Sequence, residues 1–340
     1  MDNLLKTPVR LAGTLFAAAL LLSAQGLGNV GRPGMVNYVE GQVALNGRTL
    51  GRQAIGSAEV QPGQVLETHD GRAEMLLTPG VFLRLGNNSS VKMVSPSLTD
   101  TRVELLSGQA MVEADQVAKE NHLDVMDAGA SSVIEKPGLY EFRANQPMVA
   151  VYDGKVQVEQ DDHTKDVGKD HQVLLGENNP KLKDQHFDAK TAEMNDPLYN
   201  WSKLRSEYVA EANASTAQTI VVADPGWWYG TGWYWNPWFD SWAFMPGAGF
   251  LYSPFGWGFY SPAYWAYAGP YFGYGRGFYG GRGLYGGRGF YGGRPLVGRG
   301  FVGRPGMSGA ARVAPAPRVG GFGGAHFGGA MGGHFGGGRR

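Results

Sequence analysis

The stretch "GQVLETHDGRAEMLLTPGVFLRLGNNSSVKMV", residues 63–94, decides the fold class. Its apolar residues alternate with polar ones, and turn residues interrupt it at Asp70-Gly71, Pro79-Gly80 and Gly86-Asn87-Asn88. Period-two alternation belongs to strands with one face buried. It places Ala73, Met75 and Leu77, then Val81, Leu83 and Leu85, on one face. Asp-Gly between alternating runs is a strong hairpin signal, because glycine tolerates the positive φ of tight turns. The stretch predicts four strands.

The same pattern extends to both sides. "MVNYVEGQVAL" (35–45) reads as strand, Glu40-Gly41 turn, strand. Three segments share one order of apolar, polar and glycine residues: "YVEGQVAL" (38–45), "LLSGQAMV" (105–112) and "VYDGKVQV" (151–158). Their separations differ, so the chain is no strict-period array, and the repeat reads as one tight turn reused at strand junctions. "VIEKPGLYEFRA" (133–144) and "HQVLLGENN" (171–179) supply further strands. The expectation is roughly ten strands of ~4–7 residues over residues 35–178, arranged as a mainly β sandwich, barrel or irregular β-solenoid.

After this region the pattern changes. In "NDPLYNWSKLRSEYVAEANAS" (195–215), Asp196 can cap a helix and Pro197 suits its first turn. Leu198, Trp201, Leu204, Tyr208 and Ala212 fall on one helical face, with Arg205, Glu207 and Glu211 on the other. Trp201 reads as a packing anchor. "TIVVA" (219–223) reads as linker or an extra strand.

The chain of 340 residues is formally neutral, yet its charge is divided. Residues 1–223 carry eight more acidic than basic side chains, and residues 224–340 eight more basic than acidic. Eight of the nine tryptophans lie between Trp227 and Trp265. The aromatic-rich segment 226–273 reads as loose hairpins. It is weighed as a patch packed on itself or on the β region, as a carbohydrate surface, or as a surface for lateral or membrane contact. Its candidate contacts to glycan or partner are Trp227, Trp228, Trp233, Trp235, Trp238 and Trp242. Residues 274–340 are rich in glycine and arginine and poor in aliphatics, a composition expected to stay disordered. Arg276, Arg282, Arg288 and Arg294 recur every six residues there and are candidate contacts to polyanions.

The N-terminus reads as an export signal of residues 1–26. Lys6 and Arg10 precede the uncharged run Leu11–Leu22, and small residues follow at Ser23, Ala24 and Gly26. Twelve apolar residues are short for a spanning helix of ~20. The alternative is an uncleaved anchor. An exported chain does not ordinarily meet RNA, so nucleic acid is not an expected partner of the Arg/Gly tail. Envelope polysaccharide, anionic lipid, an envelope protein and the chain itself remain. With no cysteine there are no disulfides and no thiolate metal ligands. The seven histidines, among them His326 and His334 in the tail, show no catalytic or metal-ligand spacing. No phosphate loop, nucleophile elbow or zinc-helix motif occurs, so neither an enzyme nor a cofactor is expected.

Region 35–178 resembles the FecR-like domain family. The resemblance rests on an ordered set: "GQVAL", "VQPGQVLETHDGRAEMLLTPGVFLRLGNNSSVKM", "VELLSGQAMVEA", "MVAVYDGKVQVEQ" and "VGKDHQVLLGE". Where the family commonly has Gly-Thr before an aromatic strand, this chain has "KPGLYEF" (136–142). The resemblance implies a β-rich exported domain. Its best-known members are regulators with a cytoplasmic anti-sigma segment, one membrane helix and a periplasmic domain. Only about ten residues precede the apolar run here, so that signalling segment is not expected. What the resemblance leaves is a non-enzymatic binding module of the envelope, or a structural protein that self-associates through its tail.

Overall fold

The structure is a computed structural model that describes residues 31–177, 179–223 and 230–268. The expected export signal, Trp227, Trp228 and the Arg/Gly tail lie outside the described residues. The chain is mainly β. In order come β1 (Val36–Leu45), β2 (Arg48–Leu50), β3 (Val65–Leu76), β4 (Val81–Leu85), β5 (Ser90–Ser97), β6 (Asp100–Ser107), β7 (Gln109–Ala114) and β8 (His122–Asp127). There follow β9 (Ala130–Ile134), β10 (Gly138–Arg143), β11 (Met148–Asp153), β12 (Lys155–Gln160), β13 (His163–Gly168), β14 (His171–Leu174) and β15 (Asp184–His186).

These strands form one nearly closed, barrel-like sheet of order β13-β12-β9-β8-β6-β5-β3-β4-β7-β10-β11-β14-β15, with β1 paired to β2 and β3. The β6–β8 ladder is parallel; the other ladders of the sheet are antiparallel. At the two ends of this path, Lys165 of β13 pairs with Asp184 of β15 at 2.8 Å. The interior is the apolar face expected from alternation: Ala73, Met75, Leu77, Val81, Leu83 and Leu85 are all fully buried in one cluster.

The tight turns expected at Glu40-Gly41 and Asp70-Gly71 do not form. β1 and β3 each run straight through their glycine, and Gly41 lies opposite Gly71 with a register shift beside it. A Cβ at Gly71 would sit 2.5 Å from the Glu40 carbonyl oxygen, and one at Gly41 would strike the Asp70 carbonyl oxygen. The other two glycines of the shared motif, Gly108 and Gly154, join β6 to β7 and β11 to β12. Neither pair of flanking strands is hydrogen-bonded together. At Gly108 and Gly154 the motif is thus a corner at which the chain leaves one ladder for another, whereas at Gly41 the chain stays on the β1–β3 ladder with a register shift. Its glycines hold positive φ at 68°, 76° and 95°, which residues with a Cβ rarely adopt. "KPGLYEF" serves one corner. The Tyr140 hydroxyl donates to the Lys136 carbonyl at 2.6 Å and accepts from the Lys155 N–H at 2.9 Å.

A cover lies on the outside of β3, β4, β7 and β10. It consists of α1 (Ala189–Asn195), α2 (Pro197–Ala223), the hairpin β16 (Gly232–Asn236) with β17 (Ser241–Met245), the hairpin β18 (Phe250–Tyr252) with β19 (Gly258–Tyr260), and α3 (Pro262–Ala268). Asp196 caps α2 as expected, its Oδ1 accepting from the Leu198 and Tyr199 N–H groups at 2.7 and 3.3 Å. Two expectations are corrected. "TIVVA" is the last part of α2, neither linker nor strand. The buried stripe of α2 is also rotated: Leu204 and Tyr208 are exposed, whereas Arg205 is buried.

The reason for that rotation lies in the sheet. Its outer face presents Glu74, Arg84 and Glu113, all fully buried. Arg84 Nε donates to Glu74 at 2.7 Å and its Nη1 to Glu113, while Arg205 Nη2 donates to Glu74 at 2.9 Å. Ser206 donates to Glu113, and Asn37 Nδ2 donates to Glu74 at 2.8 Å. Buried charges require partners of this kind. The nearby arginines hold the Glu74 carboxyl below its ordinary range, against the opposing effect of burial. Around these groups, Leu76 and Phe82 of the sheet pack with Val209, Ala210, Trp233, Trp242, Phe244 and Phe259 of the cover. A parallel cluster joins Met111, Leu139 and Tyr152 to Leu198, Tyr199 and Trp201. Trp201 is the packing anchor its sequence position suggested.

Candidate functional site: an uncharged aromatic surface

Residues 241–268 contain no Asp, Glu, Lys or Arg. The structure gathers several of their rings on one surface. Glycine and proline confine this segment to a short hairpin, β18–β19, followed by one short helix, α3, that begins at Pro262. Phe250 of β18 lies 5.5 Å from Tyr252 and 4.8 Å from Tyr264 of α3, measured between ring centroids. Tyr264 stacks on Tyr260 at 5.9 Å and 14°. Phe250 is 44% exposed, Tyr252 52% and Tyr267, one helical turn beyond Tyr264, 84%.

Below them Tyr260 is nearly buried, and burial, helped by the neighbouring Tyr252 and Tyr264 phenols, pushes its hydroxyl up to about 12. The Tyr260 phenol therefore stays neutral through the physiological range. Asn213 of α2 anchors it from beneath. Its Oδ1 accepts from the Tyr260 N–H at 2.8 Å, and its Nδ2 donates to the Tyr260 and Phe244 carbonyls at 3.0 and 2.8 Å. An uncharged cluster of rings, set at angles to one another and with hydroxyl edges, offers apolar ring faces beside hydrogen-bonding rims.

The tryptophans singled out from sequence go elsewhere. Trp233 and Trp242 are buried against the barrel, and Trp235 packs edge-on against Trp242 at 5.4 Å. The faces of Trp233 and Trp242 are occupied by the protein itself, whereas Trp235 is only partly buried. Trp238 alone of the described four is open, 86% exposed at the β16–β17 turn. Trp227, Trp228, Arg276, Arg282, Arg288 and Arg294 lie outside the described residues. The sequence signal for this ring surface is the missing charge after Asp240, which counting tryptophans passes over. Two of the scattered histidines meet: His171 and His186 are cross-strand neighbours, with centroids 5.8 Å apart. Among the described residues no group of three or more His, Asp or Glu side chains is placed to hold a metal ion. No described helix is long and apolar enough to cross a membrane.

The fold and this surface define a class: a mainly β protein with a nearly closed barrel-like sheet and an aromatic cover. No family model matches the chain, and no curated protein sequence matches it. Two crystal structures of a "putative anti-sigma factor" from Parabacteroides distasonis are similar to it in part, each at 16% sequence identity and a TM-score of 0.33. The similarity covers 39% and 38% of this chain, and it spans 64% and 63% of theirs, less than two thirds of their length.

Proposed function

We propose that this chain is an exported, non-enzymatic FecR-like module that adheres to hydroxyl-rich polymer of the cell envelope through Phe250, Tyr252, Tyr264 and Tyr267. The observation that carries the proposal is the exposed, charge-free ring surface standing on a rigid barrel. Export is supported by Lys6, Arg10 and the apolar run Leu11–Leu22. The Arg/Gly tail adds contacts to envelope polyanions through Arg276, Arg282, Arg288 and Arg294. The alternative is a structural protein that self-associates through this tail.

The test is retention of the full-length protein on purified peptidoglycan and on acidic polysaccharide. A Phe250→Ala, Tyr252→Ala, Tyr267→Ala variant is expected to lose at least about tenfold in apparent affinity, since each exposed ring contributes on the order of 1 kcal/mol. Its circular dichroism and sizing behaviour are expected to match the parent. Equal retention of parent and variant would remove the aromatic surface from the account. Loss of assembly on truncation at about Asp224, read by sizing chromatography, would favour self-association through the tail instead.

A further inference from the structure

A second feature is separate from the aromatic surface. A cleft of about 550 Å³ opens where the β6–β7 corner, the β10–β11 turn and the α1–α2 junction meet. Its volume is within the ~300–1,000 Å³ typical of small-molecule sites. Its floor is built and buried. Gln109 Nε2 donates to Glu141 at 2.6 Å and to Asp196 at 2.8 Å, and the Tyr152 hydroxyl donates to Glu141 at 2.9 Å. Arg143 donates Nε to Glu141 and Nη2 to Asp196 at 3.4 Å. These bonds fix the guanidinium in the cleft wall and leave Nη1 for a ligand.

The rim is made of amides. Asn145 Oδ1 accepts from the Gly108 N–H at 3.2 Å, which leaves its Nδ2 unspent. Asn195 Nδ2 donates to the Thr191 carbonyl at 2.8 Å, which leaves its Oδ1 as an acceptor. Gln146 adds a further exposed amide.

Three exclusions narrow the ligand. The cleft lining contains no aromatic ring and no large aliphatic side chain, so an apolar ligand gains little there. Two carboxyls face one guanidinium, so the site carries no positive excess to attract a phosphate or carboxylate. Burial raises the Glu141 carboxyl, which moves the site toward neutrality rather than toward positive charge. What remains is a neutral ligand with donors and acceptors side by side. We propose that this cleft binds an N-acetylated hexosamine, its acetamido C=O taking the Arg143 and Asn145 donors and its N–H or hydroxyl meeting Asn195. The proposal does not depend on the aromatic surface.

Tri-N-acetylchitotriose is the probe, titrated into the full-length protein by calorimetry, with maltotriose and sodium acetate as comparators. Chitotriose is expected to bind in preference to both. Asn145→Ala and Asn195→Ala, both at exposed positions, are each expected to weaken it about fivefold, the value of one hydrogen bond. Arg32→Ala, at an exposed ion pair outside the cleft lining, is expected to leave it unchanged. The proposal is overturned if chitotriose does not bind at millimolar concentration, if maltotriose or acetate binds as well, or if neither asparagine variant weakens it. Loss only through Phe250→Ala with Tyr252→Ala would assign the sugar to the aromatic surface and likewise overturn the cleft.

Discussion

Asp127 closes β8 with its side chain 2% exposed and one carboxylate oxygen, Oδ2, unpartnered. Burial pushes this carboxyl up to about 6, and the Ala128 N–H offsets the shift only in part. Its folded value therefore stands above the unfolded value of ~3.9. A carboxyl shifted in this direction favours the folded state below the unfolded value, and that contribution is lost as pH rises through about 6. Two units correspond to on the order of 3 kcal/mol. Asp127→Asn should therefore stabilise the protein at pH 7.5 by on the order of 1–2 kcal/mol, after loss of the carboxylate's backbone bond. At pH 4 it should bring little gain. Urea unfolding of parent and variant at the two values measures this; an equal shift at both would refute it. Residue-scale features of this kind were only partly legible beforehand. Gly41, Gly108 and Gly154 announced themselves in a shared pattern, but sequence could not distinguish a hairpin from the change of ladder at Gly108 and Gly154. Both need positive φ, and only the partner strand differs.

At the scale of elements, α2 shows what pattern alone misses. Leu198, Trp201, Leu204, Tyr208 and Ala212 form a fair apolar stripe, yet the helix docks through Ser202, Arg205, Ser206 and Asn213 as well. The sheet beneath it carries buried Glu74 and Glu113, and satisfying them outweighs the burial of Leu204 and Tyr208. Removing one partner leaves buried charge uncompensated. Glu74→Gln strands Arg205 and half of the Arg84 pairing, and should cost about 3–5 kcal/mol. Arg32→Ala breaks an exposed pair with Glu59 at 3.0 Å and should cost under about 1 kcal/mol. The urea midpoints of the two variants should differ accordingly, and comparable losses would show that the buried network is not what fixes the helix.

For the whole molecule, the barrel and its cover share one interface of apolar clusters and charged groups. All nine tryptophans lie at or beyond position 201, and the seven among the described residues belong to the cover, so tryptophan fluorescence reports mainly on the cover and far-ultraviolet dichroism mainly on the barrel. The two signals should give one coincident unfolding transition in the parent, the mark of a single cooperative unit. In Arg205→Ala the fluorescence transition should move to lower urea than the dichroism. Separate transitions already in the parent would mean that the cover is an independent layer.

Local pattern alone settled the β class, the interior face from Ala73 to Leu85, the cap at Asp196 and the start of α2. These depend on period, turn chemistry and neighbours within a few residues. The fold settled that Gly108 and Gly154 turn corners, that Arg205 faces inward, and that Trp233 and Trp242 are core while Phe250, Tyr252 and Tyr267 are exposed. Each of those outcomes depends on which distant strand lies opposite. Burial is shared across 30 to 200 positions of chain, as between Asn37 and Trp242, and no local pattern records it.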